Sequence, residues 1–428
     1  MSDTTTDDSP QNGPVLAADG TPLHRSLARA LRRQKLRALM LIAPLLIFIM
    51  VTFILPVADM LYRSVENGIV SETLPRTVVA LKDWDAGGDT APEEAVFAAL
   101  AADIQIAAEE KTHTKLGSRL NYENPGMSSL FRKSGRQVKR WDLETDGPFM
   151  EKFVEIDEDW ADIDVWRTIQ TYSPATTSGY YLAAVDMQLG VEGPEMRPEN
   201  ERIYLQLFWR TLMMSMAITL SCIALGYPVA WLLANLPMRT SNLLMILVLL
   251  PFWTSLLVRT SAWKILLQQQ GVINDILVWI GLVSDDARLV MINNQLGTII
   301  AMTHILLPFM ILPMYSVMQS INPSYLRAAK SLGATDWTAF WRVYFPQTVP
   351  GIGAGSILVF ILAIGYYITP ALVGGTTGTF ISNRIAFHIS TSLNWGLAAA
   401  LGGILLAVVL VFYWAYDKFV GIDNVKLG

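Results

Sequence analysis

The sequence predicts an all-α polytopic membrane protein, with six transmembrane helices in one bundle and a mostly helical extracytoplasmic insertion. Three observations carry this. Of 428 residues, 52% are hydrophobic and only 16% charged. Six segments reach the ~20 mostly apolar residues that a hydrocarbon core requires. Between the first and second of them lies one long hydrophilic stretch, residues 63–203.

Taken in order, residues 1–37 form a tail. Its first 23 residues, rich in Ser, Thr, Asp and Gly, are expected to be disordered. Arg25, Arg29, Arg32, Arg33, Lys35 and Arg37 follow with no acid among them, and the positive-inside rule keeps such a segment in the cytoplasm. The first transmembrane helix occupies 38–62, near Ala38–Leu61. It is long, starts late and lacks a small-x-small site after it, which makes it an uncleaved signal anchor. The core, 204–416, holds spans near Leu205–Leu233, Leu243–Leu266, Gln295–Val317, Gly351–Val373 and Trp395–Tyr416. Prolines interrupt several, and transmembrane helices tolerate this where neighbours satisfy the freed carbonyls. Small residues such as Gly351, Gly353 and Gly355 permit close helix approach. Six crossings return residues 417–428 to the cytoplasm as the C-terminus, and place the 319–350 loop there too.

The 63–203 insertion falls outside and is markedly acidic, although the whole chain carries only −5. Helical patterns run over Pro92–Glu110, Ser128–Arg140 and Glu151–Thr171. The acidic run Glu155–Asp164 lacks the glycine and final glutamate of an EF-hand, so it is read as a solvated acidic face or a patch for a basic partner. The four histidines show no metal-ligand spacing, and the single Cys222 sits in an apolar span as a small packing residue. No metal, cofactor or nucleic-acid partner is expected. No G-x-x-x-x-G-K-[ST] occurs either, so the chain is expected to be non-catalytic, with no ATP hydrolysis of its own.

The most informative stretch is Ser324–Pro346. Asn322 suits an N-cap, Pro323 a first helical turn, Gly333 a left-handed C-cap, and Thr335 or Asp336 a second N-cap. Pro346 is expected to stop the second helix. Ala328, Ala329 and Gly333 form a small-residue face. The spacing Ala328-Ala329, three residues, Gly333, nine residues, Val343-x-Phe345-Pro346 resembles the EAA loop of ABC importer permeases. One position departs: Arg327 stands where that family has a leading glutamate, which reverses a charge at the ATPase contact. A plain helix-turn-helix loop is the alternative.

The resemblance extends over about 204–416. Arg259-Thr-Ser-Ala-Trp263, Gly271-Val-Ile-Asn274, Leu307–Pro313, Pro350-Gly-Ile352 and Pro370–Gly375 are similar to the spermidine/putrescine-type branch. The resemblance implies a type I importer permease bundle in the bacterial inner membrane, in contact with membrane lipid. It also implies a separate ATP-binding cassette ATPase docking on Arg327, Ala328, Ala329, Gly333, Val343, Phe345 and Pro346. A second homologous permease subunit and a periplasmic solute-binding protein complete the assembly, and the small-molecule substrate is a polyamine or related small organic solute. Apart from Asp59, no carboxylate lies deep in a span. A polycation would therefore rely on carboxylates of the partner subunit or on aromatic faces, with Trp263, Tyr366, Tyr367 and Trp395 as candidates, through cation–π contacts worth ~0.5–2 kcal/mol each. The rival class is an ATPase-independent secondary transporter or channel, which calls for inverted repeats and an intramembrane acid.

Overall fold

The computed structural model describes residues 23–190 and 193–420. The expected disorder of the first 22 residues, and the end of the 417–428 tail, lie outside the described residues. The chain divides into two units, Met1–Tyr62 and Arg63–Gly428.

The first unit is one long helix: Leu23–Ile49, a π turn Met50–Ile54, then Leu55–Arg63. The π turn has a local cause. Pro56 brings no N–H to the carbonyl of Thr52 and its ring crowds that carbonyl, so the helix widens by one residue. Leu55 N–H then reaches back five residues to the Met50 carbonyl. Residues 31–63 are long and apolar enough to span a membrane, and no residue of the 18-residue window that qualifies is buried.

In the second unit, residues 63–203 fold mainly as helices. The longer ones are Glu94–Glu109, His113–Leu120, Met127–Val138, Phe149–Ile156 and Ile163–Thr171, followed by the short Gly179–Ala184. An antiparallel hairpin, β1 (Met187–Leu189) and β2 (Pro194–Met196), closes the segment. Its core is aromatic. Phe97, Phe131, Phe153, Trp160 and Trp166 are fully buried and meet edge-on or tilted at centroid distances of 4.7–6.0 Å. Each indole N–H finds an acceptor, Trp160 in Ser134 Oγ at 2.9 Å and Trp166 in the Trp160 carbonyl at 3.0 Å.

The expected helix Glu151–Thr171 is instead three pieces, with a 3-10 turn Glu158–Ala161 in the middle. The acids themselves break it. Asp157 and Asp162 take extended backbone and accept from the N–H groups of Asp159 and Asp164 at 3.4 and 2.9 Å, a local bond that competes with helix continuation. Asp157 also pairs with Lys133. Two carboxylates of the acidic run thus have structural work, as caps and as an ion pair.

Asp186 ties this segment to the core. Its carboxylate accepts from the N–H groups of Ile203 and Tyr204 at 2.9 Å and of Leu205 at 2.8 Å. These are the donors that the next helix leaves unpaired at its start. Asp186→Ala strands all three and is expected to destabilise the full chain by ~2–4 kcal/mol, read as a lowered melting temperature. An unchanged melting temperature would show the clamp to be dispensable.

The core helices are α1 (Tyr204–Asn235), α2 (Met238–Leu249), α3 (Leu256–Leu266), α4 (Val272–Trp279), α5 (Gln295–Ser320), α6 (Ser324–Ser331), α7 (Asp336–Gly365), α8 (Ile368–Val373), α9 (Ile381–Ser390) and α10 (Trp395–Val420). Helices α1, α5 and α7 pack side by side around Ile218, Cys222, Met302, Leu306, Met310 and Val359. Glycines set their approach. A Cβ at Gly355 would lie 2.7 Å from Met310 Sδ, and one at Gly351 3.0 Å from Val317 Cβ.

Two expected spans differ. The third is not one straight helix: Met238–Trp253 and Leu256–Leu266 meet at 96°. Pro251 ends the first piece in a 3-10 turn, and Ser255 caps the second by accepting from Val258 N–H at 3.2 Å. Five described helices suffice to cross a membrane, or six if this bent pair counts as one span. The fifth span runs Asp336–Gly365 rather than Gly351–Val373. It starts early because Pro346 does not stop it: a π turn, Phe340–Tyr344, absorbs the proline as the first unit's helix absorbs Pro56. It ends at Gly365, and Tyr366-Tyr367 separate it from α8.

A polar relay fastens α1 to α9. Buried His388 shares hydrogen bonds with Tyr204 Oη at 2.9 Å and Ser392 Oγ at 2.8 Å, and the Ser392 carbonyl accepts from Tyr122 Oη. Burial, then the nearby Arg384 charge, pulls the imidazole down to about 4. Between that value and the ordinary 6.5 the unfolded chain binds more protons. The stability linked to His388 is therefore complete above about pH 6.5 and is lost as pH falls towards about 4. Thermal melts across this window should show a decline that His388→Gln flattens; parallel curves would remove His388 as the cause.

Candidate coupling loop and substrate path

Helix α6 is short, so its ends decide whether it forms. At its start Asn322 Oδ1 accepts from Ser324 N–H at 2.9 Å. At its end Gly333 takes φ +88°. Ala334 N–H then reaches the Ala329 carbonyl at 3.1 Å and Gly333 N–H the Lys330 carbonyl at 3.0 Å, which is a Schellman turn. Thr335 Oγ1 accepts from Thr338 N–H at 3.3 Å to start α7. A Lys330–Asp336 ion pair spans the turn.

The result is an exposed two-helix knob. Arg327, Ala328, Gly333 and Pro346 are exposed, Ala329, Val343 and Phe345 half-buried. Large apolar side chains stand out around them: Leu332 is 89% and Trp337 73% exposed. A row of edge-on and tilted aromatic rings runs from the knob to α1. Trp337 meets Trp341 at 5.6 Å, Trp341 meets Phe345 at 4.9 Å, and Phe345 meets Tyr227 of α1 at 5.9 Å. Composition alone did not single out Tyr227, Trp337 and Trp341; the i, i+4 spacing of Trp337, Trp341 and Phe345 was the available signal for the last two, and nothing local marked Tyr227.

The four aromatic path candidates do not gather in one place. Trp263 on α3 donates from Nε1 to His304 Nδ1 of α5 at 3.1 Å, its ring 5.3 Å away. Tyr366 and Tyr367 form the break between α7 and α8, held open by Ser382 Oγ and Asn383 Nδ2, which donate to their carbonyls at 2.5 and 2.8 Å. Thr260 of α3 and Thr369 of α8 are 3.2 Å apart. Arg259, on the same helix as Trp263 and Thr260, has a buried Nε with no hydrogen-bond partner among the described residues. Trp263, Arg259, His304 and Tyr366 thus belong to one polar neighbourhood at an unwound helix. His304 was the residue missed, and an ionisable side chain inside an apolar span was the sign. Trp395 is elsewhere, exposed at the start of α10 beside residues of the 63–203 segment.

Comparison with known proteins shows what the chain as a whole is similar to. A family model described as "Binding-protein-dependent transport system inner membrane component" matches residues 223–420. The chain is 36% identical over 219 residues to the spermidine/putrescine transport system permease protein PotB of Escherichia coli (strain K12), covering 50% of this chain and 79% of that protein. It is 32% identical over 268 residues to the inner membrane ABC transporter permease protein YdcU of the same organism, covering 60% and 82%. A solved bacterial alginate ABC transporter, in complex with an alginate pentasaccharide-bound periplasmic protein, is 21% identical at TM-score 0.41, covering 53% of this chain and 81% of that one.

Proposed function

The chain belongs to the binding-protein-dependent transport system inner membrane components, the permease subunits of ABC importers, and on that premise we propose that it passes a polyamine or closely related small organic cation into the cytoplasm. The substrate class rests on the 36% identity to spermidine/putrescine permeases. Cation recognition falls to the Trp263 and Tyr366 rings and to carboxylates of a second, homologous permease subunit. The basic stretch Arg25–Arg37 orients the N-terminus to the cytoplasm, which puts the Ser324–Pro346 knob on the same side and the 63–203 segment outside, towards a soluble binding protein. A separate ATPase seats on Ala328, Ala329 and Gly333, with Arg327 at its edge.

One observation carries the reading: an exposed, capped two-helix knob joined without interruption to a span-length helix, α7. The test is uptake of labelled putrescine into vesicles holding the chain, its ATPase and its partner permease. Uptake should require ATP. Ala329→Glu places a charge on the small-residue face and should reduce both ATPase co-purification and uptake by roughly tenfold. Uptake that persists without any ATPase would make the chain a secondary transporter.

A further inference from the structure

Residues 267–294 join α3 to α5 and hold a short helix, α4, whose outward face is apolar. Val272, Ile276, Trp279 and Ile280 recur at helical spacing and all four are exposed, Trp279 to 86%. A surface helix in water turns such a face inward and its polar side outward. Here the inward side is fully buried Asn274, with Ile273, Leu277 and Val278 half-buried. The helix is thus apolar on both sides. Its 8 residues, roughly 12 Å, are too few to cross a bilayer.

The depth of α4 is set by what Asn274 holds. Its Oδ1 accepts from Leu289 N–H at 3.0 Å, and its Nδ2 donates to the Leu289 carbonyl at 2.9 Å. The same Nδ2 reaches the Gln268 carbonyl, just past the end of α3, at 3.1 Å. One buried carboxamide therefore ties α4 to the end of α3 and to the approach to α5. Helix α5, at 26 residues or roughly 39 Å, outreaches the ~30 Å hydrocarbon core, so its start stands at a membrane face. Asn274 keeps α4 at that face.

The charges beside the apolar face are already spent on one another. Arg288 pairs with Asp275 at 2.7 Å and with Asp285 at 2.8 Å, and its Nη1 also donates to the Gln269 carbonyl at 3.3 Å. The group left over is the Trp279 indole N–H, which has no partner among the described residues. An exposed indole with a free N–H, at the edge of an apolar stripe, suits the headgroup level of a bilayer, where ester and phosphate oxygens accept. We propose that α4 lies flat in the membrane interface where α5 begins, with Val272, Ile276, Trp279 and Ile280 in lipid and Trp279 as the anchor. Through Asn274 the lipid surface then fixes the depth of the end of α3, the helix that carries Trp263. The inference is independent of what the permease transports. A second permease subunit or a second copy of the chain is the competing cover for this face.

Nitroxide accessibility tests this on the full chain in vesicles of phosphatidylethanolamine and phosphatidylglycerol, with no partner, nucleotide or substrate present. The single cysteine is first removed as Cys222→Ser, which keeps a donor for the Thr303 carbonyl. A label is then placed at Ile276→Cys, in the middle of the apolar face, or at the exposed Asp286→Cys as control. Oxygen, which partitions into lipid, should relax the label at 276 more than a water-soluble nickel chelate does, and the order should reverse at 286. Trp279→Asp leaves every pairing within the loop intact, and with it the label at 276 should lose its oxygen preference. A label at 276 as open to nickel as the one at 286 would overturn the proposal. So would shielding of 276 from both reagents, the mark of a protein cover, or an oxygen preference that Trp279→Asp leaves unchanged.

Discussion

Gly333→Val is expected to cut ATP-dependent uptake by roughly tenfold while leaving the melting temperature of the chain nearly unchanged. At φ +88° Gly333 sits where a β-branched residue meets its own backbone, at about 1–2 kcal/mol. No atom lies within 4 Å of the position a Cβ would occupy, so no packing is disturbed. The strain acts on the turn alone: the Ala334–Ala329 and Gly333–Lys330 bonds loosen, and the knob leaves its docking conformation. A shift of ~1.4 kcal/mol is tenfold in population. Gly333→Asn, which tolerates the left-handed region, should retain most of the uptake. Full uptake in Gly333→Val membranes would remove the turn from the coupling machinery.

Gly355→Leu should have the largest effect on stability. Its Cβ would meet Met310 Sδ at 2.7 Å and the Met310 carbonyl at 3.1 Å, and the backbone carbonyl has nowhere to go without moving α5 from α7. Overpacking of this kind costs ~1–3 kcal/mol for a small addition and more for a full isobutyl group. Gly355→Ala should lower the melting temperature measurably, and Gly355→Leu should abolish recovery of folded protein. Gly365, with nothing within 4 Å, supplies the control: Gly365→Ala should be neutral to slightly stabilising. Equal behaviour at the two sites would dissociate stability from the α5–α7 approach.

Apolar runs long enough to span are read directly from composition, because the bilayer imposes a length. Their ends are not, because a proline near the end of an apolar run is compatible with either a stop or a continuing helix. Pro346 and Pro56 sit inside helices that accommodate them by a π turn, which widens the helix at the carbonyl that each ring would crowd. At Pro251 the opposite happened: Ser255 could cap a new helix, so the chain turned through 96°. Glu151–Thr171 failed for a related reason, since period 3.6 is blind to aspartates that bond their own backbone. The two-helix knob was legible because caps and a left-handed glycine are local chemistry. The Trp263–His304–Tyr366 neighbourhood was only half legible, because it joins three helices distant in sequence.

The π turn at Phe340–Tyr344 carries one more consequence. With it, Asp336 to Gly365 is a single rod of 30 residues, roughly 45 Å at 1.5 Å per residue. A lever of that length converts small tilts into large excursions: a ~5° rocking at the knob moves the far tip by about 4 Å, comparable to the rise of three helical residues. The tip is Gly365, next to the Tyr366-Tyr367 break. Any such travel would arrive at a break whose two carbonyls are already held by Ser382 and Asn383, so those two side chains are what a rocking rod would have to carry with it or release.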